Sequence, residues 1–263
     1  MAGWRFTGPG VAAALFAALT IVLSLSPMAA AAEGDGLIET VRRIKPAIVG
    51  IGFRNPLGRP PVRLVGTGFA IGDGSLVATN NHVVMQQDER EQLVVLAGRG
   101  EKPAVITGEV VAFDAGHDVA VIRIGGPPLK PLSLGPAEFR PEGTPIAFTG
   151  YPIGAIYGLF PVTHRGIVSA ITPIVIPQAN PRQLSVAMIR RLQDRFRVYQ
   201  LDATAYPGNS GSPLYVADSG QVLGVISSVF VKETKEKVLS DPSGITFAVP
   251  VRYLLELLKK NNL

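Results

Sequence analysis

Short runs of apolar and β-branched residues, separated by glycine, proline or aspartate, make up most of the chain from residue 37 onward. In the first half these runs occupy 44–53, 66–71, 75–80, 92–97, 104–113 and 118–124. After a stretch rich in proline and glycine, a second series occupies 145–150, 162–171, 196–201, 222–230 and 245–250. Short strands at this spacing are typical of antiparallel barrels or sandwiches rather than of a βαβ sheet. The pattern therefore predicts an all-β protein whose halves, 37–135 and 136–250, meet near residue 135.

Two segments carry a helical pattern instead. Residues 251–263 form the end of the chain, and 251–261 place Leu254, Leu255 and Leu258 on one face, with lysines at the end that the helix dipole favours. Residues 182–195 are basic and also helical in pattern. This second helix is either a solvated surface helix or a contact site for a regulatory partner.

The first residues have the pattern of an export signal. Residues 11–26 are an uncharged apolar run that ends at Pro27, and Ala30 with Ala32 forms an A-x-A pattern. Residues 1–32 are therefore predicted to be a signal peptide that is cleaved near Ala32, which would deliver the chain to a bacterial periplasm or the medium. The alternative is an uncleaved membrane anchor, because the run is slightly long for a signal and short for a membrane span.

The composition excludes several kinds of site. The chain has no cysteine, so it has neither disulfides nor thiolate chemistry, and with three histidines a histidine-rich metal cluster is not expected. The formal net charge is +5, but the basic residues are scattered without interleaved aromatic residues. Nucleic-acid binding is therefore not expected, and no metal or organic cofactor is predicted.

The segment Y-P-G-N-S-G-S-P-L, residues 206–214, contains two candidate serine nucleophiles. A serine hydroxyl needs a neighbouring base, usually a histidine that a carboxylate orients. The chain offers His82 after an apolar strand, His117 directly before Asp118, and His164 within a strand. Taken singly, each histidine is more often a surface or core residue than a catalytic one. Asp118 opens an almost wholly apolar strand, where it is either a carboxylate at the rim of a core or simply the residue that starts the strand.

Glycines flank the first of the two serines. Gly208 and Gly211 allow the backbone around Ser210 to turn tightly, so that amide N–H groups can converge as in an oxyanion hole. An ordinary turn between strands is the alternative. The G-x-S-x-G elbow does not fit, because Ser212 stands where that motif needs glycine and no helical pattern follows.

Four strings follow one another along the chain: T-N-N-H-V (79–83), D-V-A-V-I (118–122), G-N-S-G-S-P (208–213) and G-V-I-S-S (224–228). Their order resembles that of the trypsin-like, chymotrypsin-fold serine proteases of the HtrA/Deg type. The intervals also suit that family, with 36 residues from His82 to Asp118 (118 − 82) and 92 from Asp118 to Ser210 (210 − 118). The resemblance extends over about 37–262, which is nearly all of the chain after the predicted signal.

This resemblance implies two six-stranded antiparallel β-barrels, followed by a short C-terminal helix, with the active site in the cleft between the barrels. Ser210 would attack the scissile carbonyl of a polypeptide, and His82 would accept and then return the proton. Asp118 would hold the imidazole, and the N–H groups of Gly208 and Ser210 would form the oxyanion hole. Thr204 would lie at the base of the primary pocket.

Three further residues, Ser227, Ser228 and Val229, would line the wall of that pocket. Because the base would carry no charge and valine would narrow the wall, the resemblance implies a preference for small-to-medium apolar residues before the cleaved bond.

The chain departs from the family pattern at three places. Ser212 replaces the usual glycine, where a crowded backbone would shift the Ser210 loop. No PDZ domain is expected, since the sequence ends at Leu263. The 174–199 segment is longer than the corresponding family loop, so a gating role through 182–195 is one hypothesis. Other hypotheses are assembly into a homo-oligomer, a non-catalytic protein that binds peptides through the same cleft, and an esterase or other acyl hydrolase.

Overall fold

The computed structural model describes residues 1, 3, 33–98, 100, 102–152, 158–174, 196–227 and 245–263. The chain separates into two compact units, Met1–Ala31 and Ala32–Leu263, and the second unit holds all the elements named below. The predicted signal-peptide run and the predicted helix at 182–195 lie outside the described residues. In the part of the chain that is described, no helix is long and apolar enough to cross a membrane.

Six antiparallel strands close into a first barrel in the order β1-β2-β3-β6-β5-β4. They are β1 (Ile48–Arg54), β2 (Val62–Ile71), β3 (Leu76–Thr79), β4 (Gln92–Ala97), β5 (Ala104–Asp114) and β6 (Val119–Ile124). Their valines and isoleucines suit the pleated, half-buried surface of a barrel wall. In β6 only Arg123 is exposed, which makes this strand an apolar support for the residue before it, Asp118.

Six further antiparallel strands close into a second barrel in the order β10-β11-β12-β9-β8-β7. They are β7 (Pro145–Gly150), β8 (Val162–Ile174), β9 (Phe196–Asp202), β10 (Pro213–Val216), β11 (Val222–Ser227) and β12 (Ile245–Pro250). The two-barrel fold implied by the family resemblance is therefore confirmed. Strand β10 was not predicted, because it is four residues long and begins with a proline.

Helices precede and follow the barrels. Helix α1 (Glu33–Ile44) and a 3₁₀ turn (Lys45–Ala47) occupy the start of the strand predicted at 44–53, so that β1 begins only at Ile48. That prediction was wrong at its first residues, because Pro46 in the 3₁₀ turn fixes φ near the value of a helical first turn. A second helix, α2 (Asn81–Val84), is a single turn after β3.

The C-terminal helix, α3 (Val251–Lys260), agrees with the predicted segment. Its buried face differs from the prediction, since it consists of Val251, Leu254 and Leu257, while Leu255 and Leu258 are partly buried beside it. The face shifts because α3 continues directly from β12, and that strand sets which side of the helix meets the barrels.

Three apolar clusters form the core. One is confined to the first barrel and one to the second. The third joins residues of both barrels to α3, and its members include Phe69, Tyr151, Tyr215, Val249 and Leu254. Because the two barrels share no strand, this joining cluster supplies their common apolar contact.

Truncating the buried side chain of α3 should test that contact. Replacement of Leu254, which is fully buried in the joining cluster, by alanine should lower the free energy of unfolding by about 2–5 kcal/mol, as measured by urea denaturation. Glu256→Ala removes an exposed side chain from the same helix and should change that energy by less than about 0.5 kcal/mol. Equal losses in the two variants would contradict the proposed packing.

Candidate active site

An imidazole–carboxylate pair lies where α2 meets the start of β6. His82 Nδ1 is 2.9 Å from Asp118 Oδ2 and 3.0 Å from Oδ1, and the backbone N–H of His82 donates to Oδ1 at 2.9 Å. The Asp118 side chain is 7% exposed, whereas the His82 ring is 26% exposed. Because an ionised carboxylate only accepts hydrogen bonds, the ring proton belongs on Nδ1. The neutral ring then has Nε2 available as a base.

The backbone of Asp118 is held in an unusual conformation. Its φ is 55°, in the left-handed region that aspartate visits more readily than bulkier residues. The Asn80 side-chain amide donates to the Asp118 carbonyl at 2.9 Å, and both residues are buried. These contacts turn the carboxylate toward His82 instead of leaving it at the end of the strand.

The second barrel contributes a hydroxyl to the same carboxylate. Ser227, the last residue of β11, donates from Oγ to Asp118 Oδ2 at 2.8 Å and is 1% exposed. Asp118 therefore accepts hydrogen bonds from both barrels. The sequence interpretation assigned Ser227 to the wall of the primary pocket, and it did not identify this hydrogen bond.

The loop that contains Ser210 belongs to the second barrel and packs on the first. Gly208 and Gly211 have φ values of 100° and 88°, which glycine tolerates and other residues rarely adopt. Ser210 is 4% exposed, and its carbonyl accepts from the N–H of Thr67 in β2 at 2.8 Å. The N–H of Gly211 donates to the Ile226 carbonyl at 2.9 Å. The loop is thus joined to β2 on one side and, on the other, to the strand that ends at Ser227.

Ser210 and the turn that carries His82 approach the same small residue. A Cβ atom built on Gly66 would lie 2.9 Å from the Val83 methyl carbons and 3.1 Å from the Ser210 carbonyl oxygen. Gly66 therefore separates the residue after His82 from the backbone of Ser210. This contact places the serine loop next to the imidazole–carboxylate pair.

A family model described as the trypsin-like peptidase domain matches residues 66–225, which run from β2 through β11. The chain belongs to this peptidase family. A probable periplasmic serine endoprotease, DegP-like, from Halomonas elongata is 31% identical over 195 residues, covering 74% of this chain and 34% of that protein. A protein of the same description from Pseudomonas fluorescens is 30% identical over 206 residues, covering 78% of this chain and 37% of that protein. The chain thus spans about a third of the length of these relatives.

Two solved structures share the fold of this trypsin-like chain. The HtrA-type protease AlgW with tripeptide aligns with a TM-score of 0.60 and 24% identity, covering 85% of this chain and 62% of that one. Deg5 aligns with a TM-score of 0.61 and 22% identity, covering 86% of this chain and 93% of that one. At this level of identity the two structures establish the fold alone.

The predicted substrate pocket lies partly within the described residues. Thr204 is half-buried, and the residues on both sides of it are held by one hydroxyl. Thr246 Oγ1 of β12 donates to the Ala203 carbonyl at 2.5 Å and accepts from the N–H of Ala205 at 2.9 Å. The expected wall residues Ser228 and Val229 lie outside the described residues.

Two buried side chains beside Ser210 have unsatisfied polar atoms. Both amide atoms of Asn209 and the hydroxyl of Ser212 have no hydrogen-bond partner among the described residues. A Cβ atom on Gly150 would lie 2.0 Å from Ser212 Oγ and 2.9 Å from Asn209 Oδ1. The hydroxyl that replaces the family glycine is therefore accommodated against the backbone of Gly150, without forming a hydrogen bond to hold the loop.

The other two histidines have separate surroundings. His164 stacks on Phe148 with ring centroids 4.8 Å apart, and its Nε2 has no partner among the described residues. Burial lowers the pKa of His164 below its ordinary value, so this ring is neutral near pH 7. No group of three or more histidine and acidic residues suited to a metal ion occurs in the ranges that the structure describes.

His117 forms a second imidazole–carboxylate pair, next to Asp118 in sequence. Its Nδ1 lies 2.7 Å from Asp114 Oδ2, and its ring stacks on Tyr253 of α3 with centroids 3.9 Å apart. The edge of Phe196 in β9 completes the contact at 5.0 Å. The pair therefore connects the turn before Asp118 to elements outside the first barrel.

Sequence reasoning missed one residue with several contacts at the site. Thr67 contacts both Gly208 and Ser210 through hydrogen bonds. The surrounding G-T-G string was the available signal, because two glycines beside a buried polar residue indicate close backbone approach.

The Asp114–His117 pair generates a pH prediction. The hydrogen bond from His117 lowers the pKa of Asp114 from 3.8 to about 2, against an opposing effect of partial burial. Because the pKa of this carboxyl is lower in the folded protein than in the unfolded chain, its ionised form stabilises the fold at pH values above the pKa of the unfolded chain. This contribution is lost as the pH falls toward the pKa of the folded protein. The coupling free energy between the substitutions Asp114→Asn and His117→Ala, measured on the stability of the fold, should therefore be present at pH 5 and decline between about pH 4 and pH 2.

Urea denaturation of the wild type, both single variants and the double variant measures that coupling at each pH. Both side chains are partly exposed, so the coupling should be modest and weakened by salt. A coupling that stays constant from pH 5 to pH 2 would contradict the assignment.

Proposed function

We propose that this chain is an exported serine endopeptidase that cleaves polypeptides through an acyl-enzyme intermediate. One observation carries the proposal. The His82–Asp118 pair of the first barrel receives a hydrogen bond from Ser227, and Ser227 directly follows the residue that holds the Ser210 loop. The DegP-like relatives are described as periplasmic serine endoproteases, which supports both the activity and the location.

In this mechanism His82 Nε2 removes the proton from Ser210 Oγ as the oxygen attacks the scissile carbonyl carbon. The carbonyl oxygen becomes an oxyanion, which the N–H groups of Gly208 and Ser210 stabilise. His82 then donates the proton to the leaving amine. Water hydrolyses the resulting ester with His82 again acting as the base.

The carboxylate of Asp118 remains ionised throughout and stabilises the imidazolium that forms on His82. Its hydrogen bonds from the His82 N–H and from Ser227 fix the position of both oxygens. Ser227 therefore acts on the imidazole through Asp118 and is a positioning residue. Assembly into a homo-oligomer and a regulatory contact through 182–195 remain predictions from the sequence.

Labelling with a fluorophosphonate probe should identify the nucleophile. The wild type and Ser212→Ala should be labelled, and Ser210→Ala should not, because only Ser210 has an activating histidine in the proposed site. Gel fluorescence after equal incubation measures the difference. Labelling that survives in Ser210→Ala would contradict the assignment.

The same samples should be tested on an unfolded polypeptide. If the wild type is labelled and cleaves the unfolded polypeptide, it is an endopeptidase. If the wild type is labelled but cleaves only esters, it is the acyl hydrolase considered above. A wild type that is not labelled would favour the peptide-binding alternative.

Peptide substrates that differ only in the residue before the cleaved bond should reveal the primary specificity. With Thr204 at the pocket base, we expect alanine and valine substrates to exceed the arginine substrate in kcat/KM by at least about tenfold. An uncharged base offers no partner for a buried guanidinium. A preference for arginine, measured by release of the same chromophore, would overturn this assignment.

A further inference from the structure

Thr67 uses all of its polar groups at the boundary between the barrels. It is completely buried in β2, and its N–H donates to the Ser210 carbonyl at 2.8 Å. Its hydroxyl donates to the Gly208 carbonyl at 2.7 Å and accepts from the N–H of Tyr151 at 3.0 Å. Its own carbonyl accepts from Thr79 Oγ1 at 2.7 Å. A hydroxyl has one proton to donate, so the direction of this proton toward Gly208 is fixed.

These hydrogen bonds clamp alternate peptide units of the Ser210 loop. The peptide between Gly208 and Asn209 is held at its oxygen by Thr67 and at its N–H by the Tyr206 carbonyl at 2.9 Å. The peptide between Ser210 and Gly211 is held at its oxygen by the Thr67 N–H and at its N–H by the Ile226 carbonyl. The two N–H groups assigned to the oxyanion hole belong to the peptide units next to these clamped ones.

The side chains next to Ser210 in the loop do not help Thr67 to hold its backbone. Asn209 and Ser212 form no side-chain hydrogen bond among the described residues. Gly208, at φ 100°, has the backbone freedom of glycine. Loss of the Thr67 hydroxyl would therefore release the carbonyl of Gly208 and leave its peptide unit held from one side.

We propose that Thr67, through its hydroxyl, is a positioning residue for the oxyanion hole. It fixes the peptide unit after Gly208, and it thereby sets the direction of the Gly208 and Ser210 N–H groups toward the developing negative charge. This inference rests on the proposed endopeptidase function. It assigns to the first barrel a direct part in forming an oxyanion hole whose donors all belong to the second.

The test compares Thr67→Val, which has nearly the same shape without the hydroxyl, with Thr67→Ser, which retains it. Thr67→Val should lower kcat by roughly tenfold to a hundredfold, less than the 10²–10³-fold loss when a donor itself is removed. KM should change by less than about threefold, because the affected contacts strengthen in the transition state. Thr67→Ser should restore kcat to within about threefold of the wild type.

Thr40→Val is the matched control. Thr40 is 1% exposed, and its hydroxyl donates to the Asp218 carbonyl at 2.6 Å, where α1 meets the turn after β10. The Thr40 hydroxyl also accepts from Arg43 Nη2 at 3.4 Å, so this variant, like Thr67→Val, loses one donated and one accepted hydrogen bond, but outside the site. It should therefore lose comparable stability and keep the wild-type kcat. Equal losses of kcat in Thr67→Val and Thr40→Val would overturn the inference, as would a Thr67→Val enzyme with unchanged kcat or with a changed KM alone.

Hydrogen–deuterium exchange gives a measurement that does not need turnover. Peptides covering 206–212 should exchange faster in Thr67→Val than in the wild type, Thr67→Ser or Thr40→Val. Unchanged exchange there would overturn the proposed clamp even if catalysis fell. A wild type that neither labels nor cleaves would instead refute the proposed function, while the exchange experiment would still decide whether Thr67 holds the loop.

Discussion

Hydrogen bonds across two barrels that share no strand determine the geometry of this site. Each barrel closes on itself, so no backbone ladder runs continuously from His82 to Ser210. Among the described residues, polar connections between the barrels include Ser227 to Asp118, Thr67 to the Ser210 loop, and Tyr151 to Thr67 and to the Ile48 carbonyl. A reciprocal backbone pair also joins Gly100 and Leu159. The joining apolar cluster brings the barrels together, but apolar contact is not directional. The directional hydrogen bonds therefore fix how the residues of one barrel are aligned with those of the other at the proposed site.

Because Asp118 is buried, the stability of its charged carboxylate depends on its hydrogen-bond partners. A buried carboxylate without partners is costly, and removal of one partner from a buried charged group commonly costs several kcal/mol, about 3–5. Asp118 has donors from His82 and Ser227 on its oxygens, while Asn80 holds its carbonyl. Its left-handed backbone adds a cost of about 1–3 kcal/mol. The same hydrogen bonds that stabilise the charge offset this strain, so the orientation of the carboxylate and its burial depend on one set of contacts.

The sequence predicted most of the strands because the β-branched runs and turn residues reflect local preferences. It failed where a neighbour decides the conformation. Strand β10 is too short to show a pattern, and the buried face of α3 depends on how the helix leaves β12. At the site, His82, Asp118 and Ser210 could be singled out from their strings and from the family resemblance. Thr67 was missed although glycines flank it, because its partner Gly208 is 141 residues away and nothing in either segment indicates that the two residues meet.

Two imidazole–carboxylate pairs have their carboxylates at the two ends of the turn between β5 and β6, and they show why spacing alone does not identify a catalytic pair. His117 and Asp114 are three residues apart, so an ordinary turn brings them together, and both remain partly exposed. His82 and Asp118 are 36 residues apart and meet only after the first barrel has closed. The second barrel donates a hydrogen bond to the carboxylate of this distant pair through Ser227, whereas its contact with the other pair is the edge of Phe196 on the His117 ring. Burial and a donor from the opposite barrel, rather than proximity of the two side chains, distinguish the pair that we propose to transfer a proton at Ser210.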